Sequence, residues 1–201
     1  LLGLYTERLP AASGGVWDRV GAVQRFDIVL NAGAEGVLST VLPNTWKAMQ
    51  SVELETVFAG LYADQLTDLN LSGDAAALAF HMGLLSRNYR KTAANHPPSD
   101  ANERFLIAIA RGDLVGVVAP DDFGRAIVEG FNADEPPASH AALIANGDLG
   151  AAILNAVILM SDGAHGNLSK LSDGIALLRA AGLEDTARRI ALQVMILDRR
   201  A

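Results

Sequence analysis

The segments Ile109-Ala-Arg-Gly-Asp-Leu114 and Ile144-Ala-Asn-Gly-Asp-Leu149 are near-copies that differ at one of six positions. Their glycines, Gly112 and Gly147, are 35 residues apart, and Gly182 follows after another 35. A period near 35 residues is the length of one helix–turn–helix unit in a stacked array. The spacing therefore predicts an all-α chain whose second half consists of helical hairpins, each turning at a glycine.

The residues that come after these glycines support the same interpretation. Five positions after Gly147 and Gly182 stand Ala152 and Ala187, small residues suited to a helix crossing, whereas Val117 holds that place after Gly112. The pattern resembles the tetratricopeptide-type helical repeat over residues 100–200. The first-helix Trp, Leu-Gly and Tyr pattern and the closing proline of that family are absent.

The resemblance implies stacked antiparallel hairpins, an α-solenoid-like fold of about nine or ten helices, and a groove that binds a protein or peptide. In the tetratricopeptide family, a carboxylate clamp uses basic side chains on the first helices. Only Arg104 and Arg111 stand on the equivalent helices here.

Helical periodicity also marks the first half of the chain. A helix is expected after Gly15 and ends before Gly33, and a second runs from Glu35 until Pro43 kinks or restarts it. A further helix is expected to begin at Asp74 as its cap. Between them an amphipathic stripe is predicted to face the core. Its members are Leu54, Val57, Phe58, Leu61, Tyr62, Leu66 and Leu69. The segments 25–30 and 114–118 have some β-propensity, but each lies among residues that are typical of the beginnings and ends of helices.

The sequence His96-Pro-Pro-Ser99 interrupts the helical pattern most strongly, because proline disfavours helix in the residue before it. Asp100, with Glu103 three residues on, then resembles a capping box. This interruption predicts a boundary between a helical subdomain, residues 1–95, and a helical-repeat subdomain, residues 99–201. The alternative is that it is a loop within one continuous domain.

Composition excludes several classes of partner. The 201 residues carry 16 Lys and Arg against 23 Asp and Glu, a formal charge of −7, and an acidic surface disfavours nucleic acid and anionic membranes. The most apolar stretch, 149–160, contains Asn155 and is shorter than the roughly 20 residues of a membrane span. The lack of cysteine removes disulfides and thiol chemistry and leaves the compartment open.

The chain begins at Leu1 rather than Met, and Leu1–Leu4 lacks the basic start of a signal peptide. We therefore expect a piece of a longer protein. Two glycine-rich segments carry no nucleotide signature, since 13–15 lacks the lysine of a phosphate loop and 33–36 lacks a preceding strand and a third glycine.

Candidate catalytic groups are scattered. None of the four histidines, His81, His96, His140 and His165, has metal-ligand spacing. His81 is expected to be half-buried, and His96 and His165 to be solvated loop residues. Asp162 lies near enough in sequence to orient His165, but no Gly-x-Ser-x-Gly motif accompanies the pair.

Two acidic pairs, Asp121-Asp122 and Asp134-Glu135, admit a glycosidase interpretation. Helix capping by Asp121-Asp122 is the favoured alternative, because a carboxylate is stabilised at a helix N-terminus. Asn70 and Asn167 each begin an Asn-x-Ser sequence of the kind that is N-glycosylated. The same residues are equally typical of turns and helix caps. We predict no catalytic, cofactor-binding or metal-binding residue, and no cofactor.

The sequence thus favours a non-enzymatic helical-repeat domain that binds a protein or peptide. The alternative is an accessory helical domain of a cell-wall hydrolase or other enzyme whose catalytic part lies elsewhere. A possible homodimer is a third interpretation, because the final helix, residues 183–197, is apolar along one face.

Overall fold

A computed structural model describes residues 15–197, and these fold into eleven helices without a strand. The helices are α1 (Val16–Asn31), α2 (Glu35–Gln50), α3 (Glu55–Leu66), α4 (Gly73–Leu85), α5 (Tyr89–Asn95), α6 (Ala101–Arg111), α7 (Asp122–Asn132), α8 (Ala141–Ala145), α9 (Leu149–Ala164), α10 (Leu168–Ala180) and α11 (Glu184–Ile196). The all-α prediction is confirmed, and the short helices α5 and α8 bring the number above nine or ten. The segment 25–30 is helical and 114–118 is a loop.

The first residues considered for a signal peptide, and Ser13-Gly14, lie outside the described residues. The chain divides into two compact units, one ending at Thr92 and one beginning at Ala93. The division falls inside α5, ahead of the proline pair.

In the first unit α2 is central, because α1, α3 and α4 all pack against it. Phe26, Phe58 and Tyr62 form a ring cluster with centroids 5.0 Å apart in each pair. Phe26 is fully buried between edge-on rings, a favoured aromatic geometry. Burial, and then the neighbouring Asp27 carboxylate, raise the pKa of the Tyr62 phenol above its usual 10.0.

Two local expectations for this unit, at Pro43 and at Asp74, need refinement. α2 continues through Pro43 without restarting. Ser72 is the N-cap of α4, and Asp74 lies in its first turn, where the helix dipole still favours an acid.

The predicted stripe on α3 does not form a single buried face. Val57 and Leu61 are more than half exposed, while Ala59 and Ala63 are buried beside Phe58. The core side of α3 therefore carries Phe58, Leu66 and the two alanines, and Val57 and Leu61 face solvent. A stripe chosen by hydrophobic size alone missed this alanine face.

In the second unit α10 is the central helix, and α7, α9 and α11 pack on it. Its buried side chains include Leu171, Ile175, Leu177 and Leu178. α11 also contacts α6 and α7, and α8 packs on α9. The core of this unit is therefore arranged around one helix rather than between two equal layers.

Glycines allow this close packing around α10. A Cβ added to Gly163 of α9 would lie 2.6 Å from the Leu171 Cα, and one added to Gly130 of α7 would lie 2.7 Å from the Ser172 carbonyl oxygen. A Cβ on Gly174 of α10 would meet Met160 at 2.8 Å. Real Cβ atoms do not approach so closely, so a side chain at Gly163 or Gly130 would have to displace backbone, and one at Gly174 would have to displace the Met160 side chain.

The three evenly spaced glycines occupy equivalent helix ends. Gly112, Gly147 and Gly182 have φ of 73°, 76° and 80°, a left-handed conformation that glycine adopts without steric cost. The N–H of each following residue donates to the carbonyl five positions earlier, at 3.1, 2.8 and 2.9 Å respectively. These bonds are those of a Schellman motif, which satisfies the last carbonyls of a helix.

The segments after the three glycines differ from one another. After Gly147 and Gly182 the next helix begins two residues on, and Ala152 and Ala187 are fully buried within it. After Gly112 a loop occupies 113–121 before α7 begins, and Val117 lies in this loop. The 35-residue spacing therefore marks like helix ends, with a new helix directly after two of the three.

The close crossing at Gly163 has a measurable consequence. We expect Gly163→Ala to lower the free energy of unfolding by about 1–3 kcal/mol, because the new methyl overlaps the Leu171 backbone. Gly150→Ala in the same helix meets open space and removes a poor helix former, so it should raise stability by about 0.5 kcal/mol. Urea unfolding followed by circular dichroism measures both, and equal effects would contradict the packing described.

Candidate docking groove

α9 is apolar on both of its faces. Residues 149–161 include no charged residue. The face toward α10 carries the buried residues Ala152, Ala156 and Met160, all but one of them small. Its larger residues Leu154, Val157 and Ile158 face outward, with 62%, 52% and 53% of their surface exposed. A contiguous apolar surface on an otherwise acidic chain is typical of an interaction site.

A groove of about 280 Å³ lies between α9 and α11, both of which pack on α10. Its walls are Val157, Met160, Ser161 and Ala164 from α9, and Ile190, Gln193 and Val194 from α11 with Leu197, the C-cap residue that follows it. The two helices contribute residues with the same spacing, since each set steps by three, one and three positions. That spacing places all four side chains of a set on one face of the helix.

The groove is uncharged and mostly apolar. Ser161 and Gln193 are its two polar residues. The volume is slightly below the 300–1,000 Å³ that small-molecule sites typically occupy. A trough lined by two parallel rows of side chains suits the side chains of a third helix better than an enclosed ligand.

Ion pairs hold the beginning of α11 in place. Glu184 accepts hydrogen bonds from Arg179 Nε at 2.9 Å and from Arg188 at 3.2 Å. The Arg179 guanidinium also donates to the carbonyls of Gly130 and Ala133, at 3.3 and 3.2 Å, where α7 ends. One wall of the groove is thereby tied to both α7 and α10.

The first unit has an apolar hollow of its own, of about 460 Å³. It is formed by α1 and by the segment that joins α2 to α3. Its lining consists of Val16, Arg19, Val20, Val23, Gln24, Met49, Val52 and Leu54. Unlike the α9–α11 groove, it includes a charged side chain, Arg19.

The two candidate clamp residues are occupied by backbone groups. Arg111 Nη2 donates to the Ala93 carbonyl at 3.3 Å, and Arg104 Nε donates to the Asp100 carbonyl at 3.2 Å. Both arginines belong to α6, which contributes nothing to the groove lining.

The pairing of Asp162 with His165 that the sequence allows does not form. The Asp162 carboxylate pairs with the Lys170 ammonium group, and His165 Nδ1 lies 2.7 Å from the Ser161 carbonyl. His165 is exposed, as expected. The other histidine rings have separate, local contacts. His81 is half-buried beside Phe80, and His140 contacts the adjacent Ser139.

One of the two acidic pairs and one of the two Asn-x-Ser sequences take part in helix capping. Asp121 is the N-cap of α7 and accepts a hydrogen bond from the Gly124 N–H at 2.8 Å, which confirms the capping interpretation. Asp134 and Glu135 are exposed. Asn167 caps α10 through the Lys170 N–H, whereas Asn70 is an exposed residue of the loop before α4.

The sequence predicts only part of a buried cluster around Glu103. Asp100 caps α6 by accepting from the Glu103 N–H at 2.8 Å, as the capping box predicts. The Glu103 carboxylate instead reaches the residues before Asp100. Its Oε2 accepts from the Ser99 N–H at 2.7 Å and the Ser99 hydroxyl at 2.8 Å, and lies 3.0 Å from His96 Nε2.

This cluster corrects the expectation that His96 is a free loop residue. The ring is about two-thirds buried and is paired with a carboxylate that is itself only 9% exposed. The Ser99 hydroxyl donates to Glu103 rather than to His96, so the three side chains lack the nucleophile–base contact of an acyl-transfer site. Their arrangement closes the loop onto α6.

Burial is the largest influence on Glu103 and raises the pKa of its carboxyl. The hydrogen bonds from Ser99 and the contact with His96 act in the opposite direction, and together they hold the pKa below its ordinary value of 4.5. The ionised carboxylate is thus the form that the fold stabilises.

Two further features bear on function. Within residues 15–197, no group of three or more His, Cys, Asp or Glu side chains is placed to hold a metal ion. In the same part of the chain, no helix combines the length and the apolar character that crossing a membrane requires.

The chain matches no protein-family model, and neither a curated protein nor a solved structure was found to be similar to it.

The Glu103 cluster predicts a pH-dependent contribution to stability. We expect Glu103→Gln to lower the free energy of unfolding by about 1–3 kcal/mol near neutral pH, because charge-assisted hydrogen bonds are lost in a buried place. Since the folded pKa is depressed, the stabilisation is complete above pH 4.5 and is lost as the pH falls through the lower folded value.

Chemical unfolding of the natural chain and of the Glu103→Gln variant between pH 7 and about pH 3 measures the difference between their free energies of unfolding. This difference should become smaller as the pH falls. Glu129→Gln changes an exposed carboxylate on α7 and serves as the control. A constant difference between Glu103→Gln and the natural chain across this range would show that the ionised carboxylate is not what stabilises the loop.

Proposed function

We propose that the chain is a helical protein-binding module, and that the α9–α11 groove accepts an amphipathic helix from a protein or peptide partner. One observation carries the proposal: two neighbouring helices line an uncharged groove with side chains of identical helical spacing. A helix with apolar residues at i, i+3, i+4 and i+7 would complete a three-helix contact there.

The exposed aliphatic side chains supply the driving force. Leu154, Val157 and Ile158 keep about half of their surface in water. Burying a full side chain of this kind contributes roughly 1.5–3 kcal/mol, so covering the remaining half of each contributes about 1 kcal/mol. A partner helix gains most by covering all three together with the groove.

The groove also limits what the partner presents. A charged side chain facing it would lose its hydration without finding an opposite charge, which is costly. The Gln193 amide offers both donors and an acceptor, so a neutral polar residue on the partner has a group to pair with. We therefore propose a partner helix with an uncharged contact face.

The placement of the reactive side chains supports binding rather than catalysis. Among the described residues, Ser99, Glu103 and His96 stabilise a loop, and the other histidines take local contacts. The tetratricopeptide-type resemblance agrees with the proposal at the level of stacked hairpins and peptide binding, although the clamp arginines are engaged with backbone carbonyls.

The proposal is tested with a displayed library of 16-residue amphipathic helices selected against the 201-residue chain. We expect the selected helices to be uncharged on one face and to perturb amide NMR signals of α9 and α11. Ala164→Phe should weaken their binding at least tenfold, because the ring fills the groove.

Ala142→Phe on α8 is the control, since it adds the same ring at an exposed position away from the groove. Binding that survives Ala164→Phe unchanged, or signals confined to other helices, would refute the groove as the docking site.

A further inference from the structure

The outward side of α9 has the shape that the groove accepts. Leu154, Val157, Ile158 and Ser161 lie at i, i+3, i+4 and i+7 of one helix, the spacing found in the groove walls. The first three form what we call the α9 ridge, and each is more than half exposed. The ridge and the groove adjoin, because Val157 belongs to both and Ser161, next along the same face, lines the groove.

We infer that the partner helix at this site is α9 of a second copy of the chain. The inference rests on the proposed function and names its partner. A two-fold rotation about an axis near Val157 would bring each ridge to the groove of the other copy. Such an interface is self-complementary and closed, so it ends at a dimer rather than a fibre.

Charge restricts where two copies can meet. Each chain carries a formal charge of −7, so most orientations of two copies are repulsive. Residues 149–161 contribute nothing to this charge, and the nearest carboxylate on α9, Asp162, is paired with Lys170. The ridge and groove therefore form a surface at which two acidic chains can approach without opposing carboxylates.

The same charges give the association a salt dependence. The acidic surfaces of the two copies outside the ridge and groove repel each other. This repulsion is screened as ionic strength rises, because the Debye length falls from about 10 Å at 0.1 M to 3 Å at 1 M. The apolar contact itself is not weakened by salt. Dimerisation should therefore strengthen with added sodium chloride, whereas an interface built on ion pairs would weaken.

The dimer is expected to be weak, because one helical ridge and one groove form a contact smaller than the roughly 800 Å² per partner of standard interfaces. We expect a dissociation constant on the order of 10–100 µM. Sedimentation equilibrium of the 201-residue chain from about 1 µM to 1 mM, a range chosen to span that affinity, tests it. The average mass should rise from 21.1 kDa toward twice that value.

Val157→Glu should weaken the dimer at least tenfold, because it places two carboxylates near the two-fold axis. Val37→Glu is the matched control, since Val37 is 53% exposed on α2 and is also a helical valine. It should leave the dissociation constant unchanged. Circular dichroism verifies that both variants remain helical.

A mixture of Val157→Glu and Val157→Lys copies provides a second measurement. Each variant alone should be monomeric, and the mixture should associate, because the axis brings opposite charges together. Association of the mixture supports the two-fold arrangement. Variants that stay monomeric when mixed, while the natural chain dimerises, overturn it.

Two further results would overturn the inference: the chain remains monomeric at 1 mM, or Val37→Glu weakens association as much as Val157→Glu. If the chain is monomeric and Val157→Glu also lowers its stability, another part of the same chain covers the ridge. If a monomeric chain still binds selected helices in the groove, the inference fails and the proposed function stands. If neither a second copy nor a selected helix uses the groove, both fail.

Discussion

The close approach of α9 to α10 is the contact on which the rest of the second unit depends. Gly163 lies directly against the Leu171 backbone, Gly174 lies against the Met160 side chain, and Ala152 and Ala156 extend the contact along α9. Because the inner face of α9 consists mostly of small residues, its large aliphatic residues have only the outer face to occupy. The packing of the core and the exposed ridge are therefore two results of one distribution of residues along one helix.

The fold class was predictable from the sequence, and so were its principal helix ends. Glycine at a helix terminus has a local cause, the left-handed conformation, and Gly112, Gly147 and Gly182 all adopt it. Asp100 and Asp121 cap the helices that the sequence assigned to them, because a cap depends only on the next three residues. Interactions that span few residues are the ones that the sequence specifies most directly.

The faces of the helices were less predictable, since burial depends on what lies opposite. Val57 and Leu61 were expected in the core of the first unit, yet alanines occupy that side of α3. The groove was not predictable for the same reason, because no pattern in the sequence shows that α9 and α11 lie side by side on α10. The 35-residue spacing is the feature of the sequence most closely related to the groove, because α9 and α11 follow two of the evenly spaced glycines and both pack on α10.

The ion pairs at the start of α11 determine how the groove responds to an occupant. Arg179 and Glu184 tie the first turn of that wall to the end of α7, which restricts its movement before anything binds. A rigid receptor loses little conformational entropy on association, and the ordering cost of the complex then falls on the incoming segment. Segments that are already helical in solution would be favoured over chains that must fold on contact, which makes helical propensity, alongside side-chain fit, a determinant of selectivity.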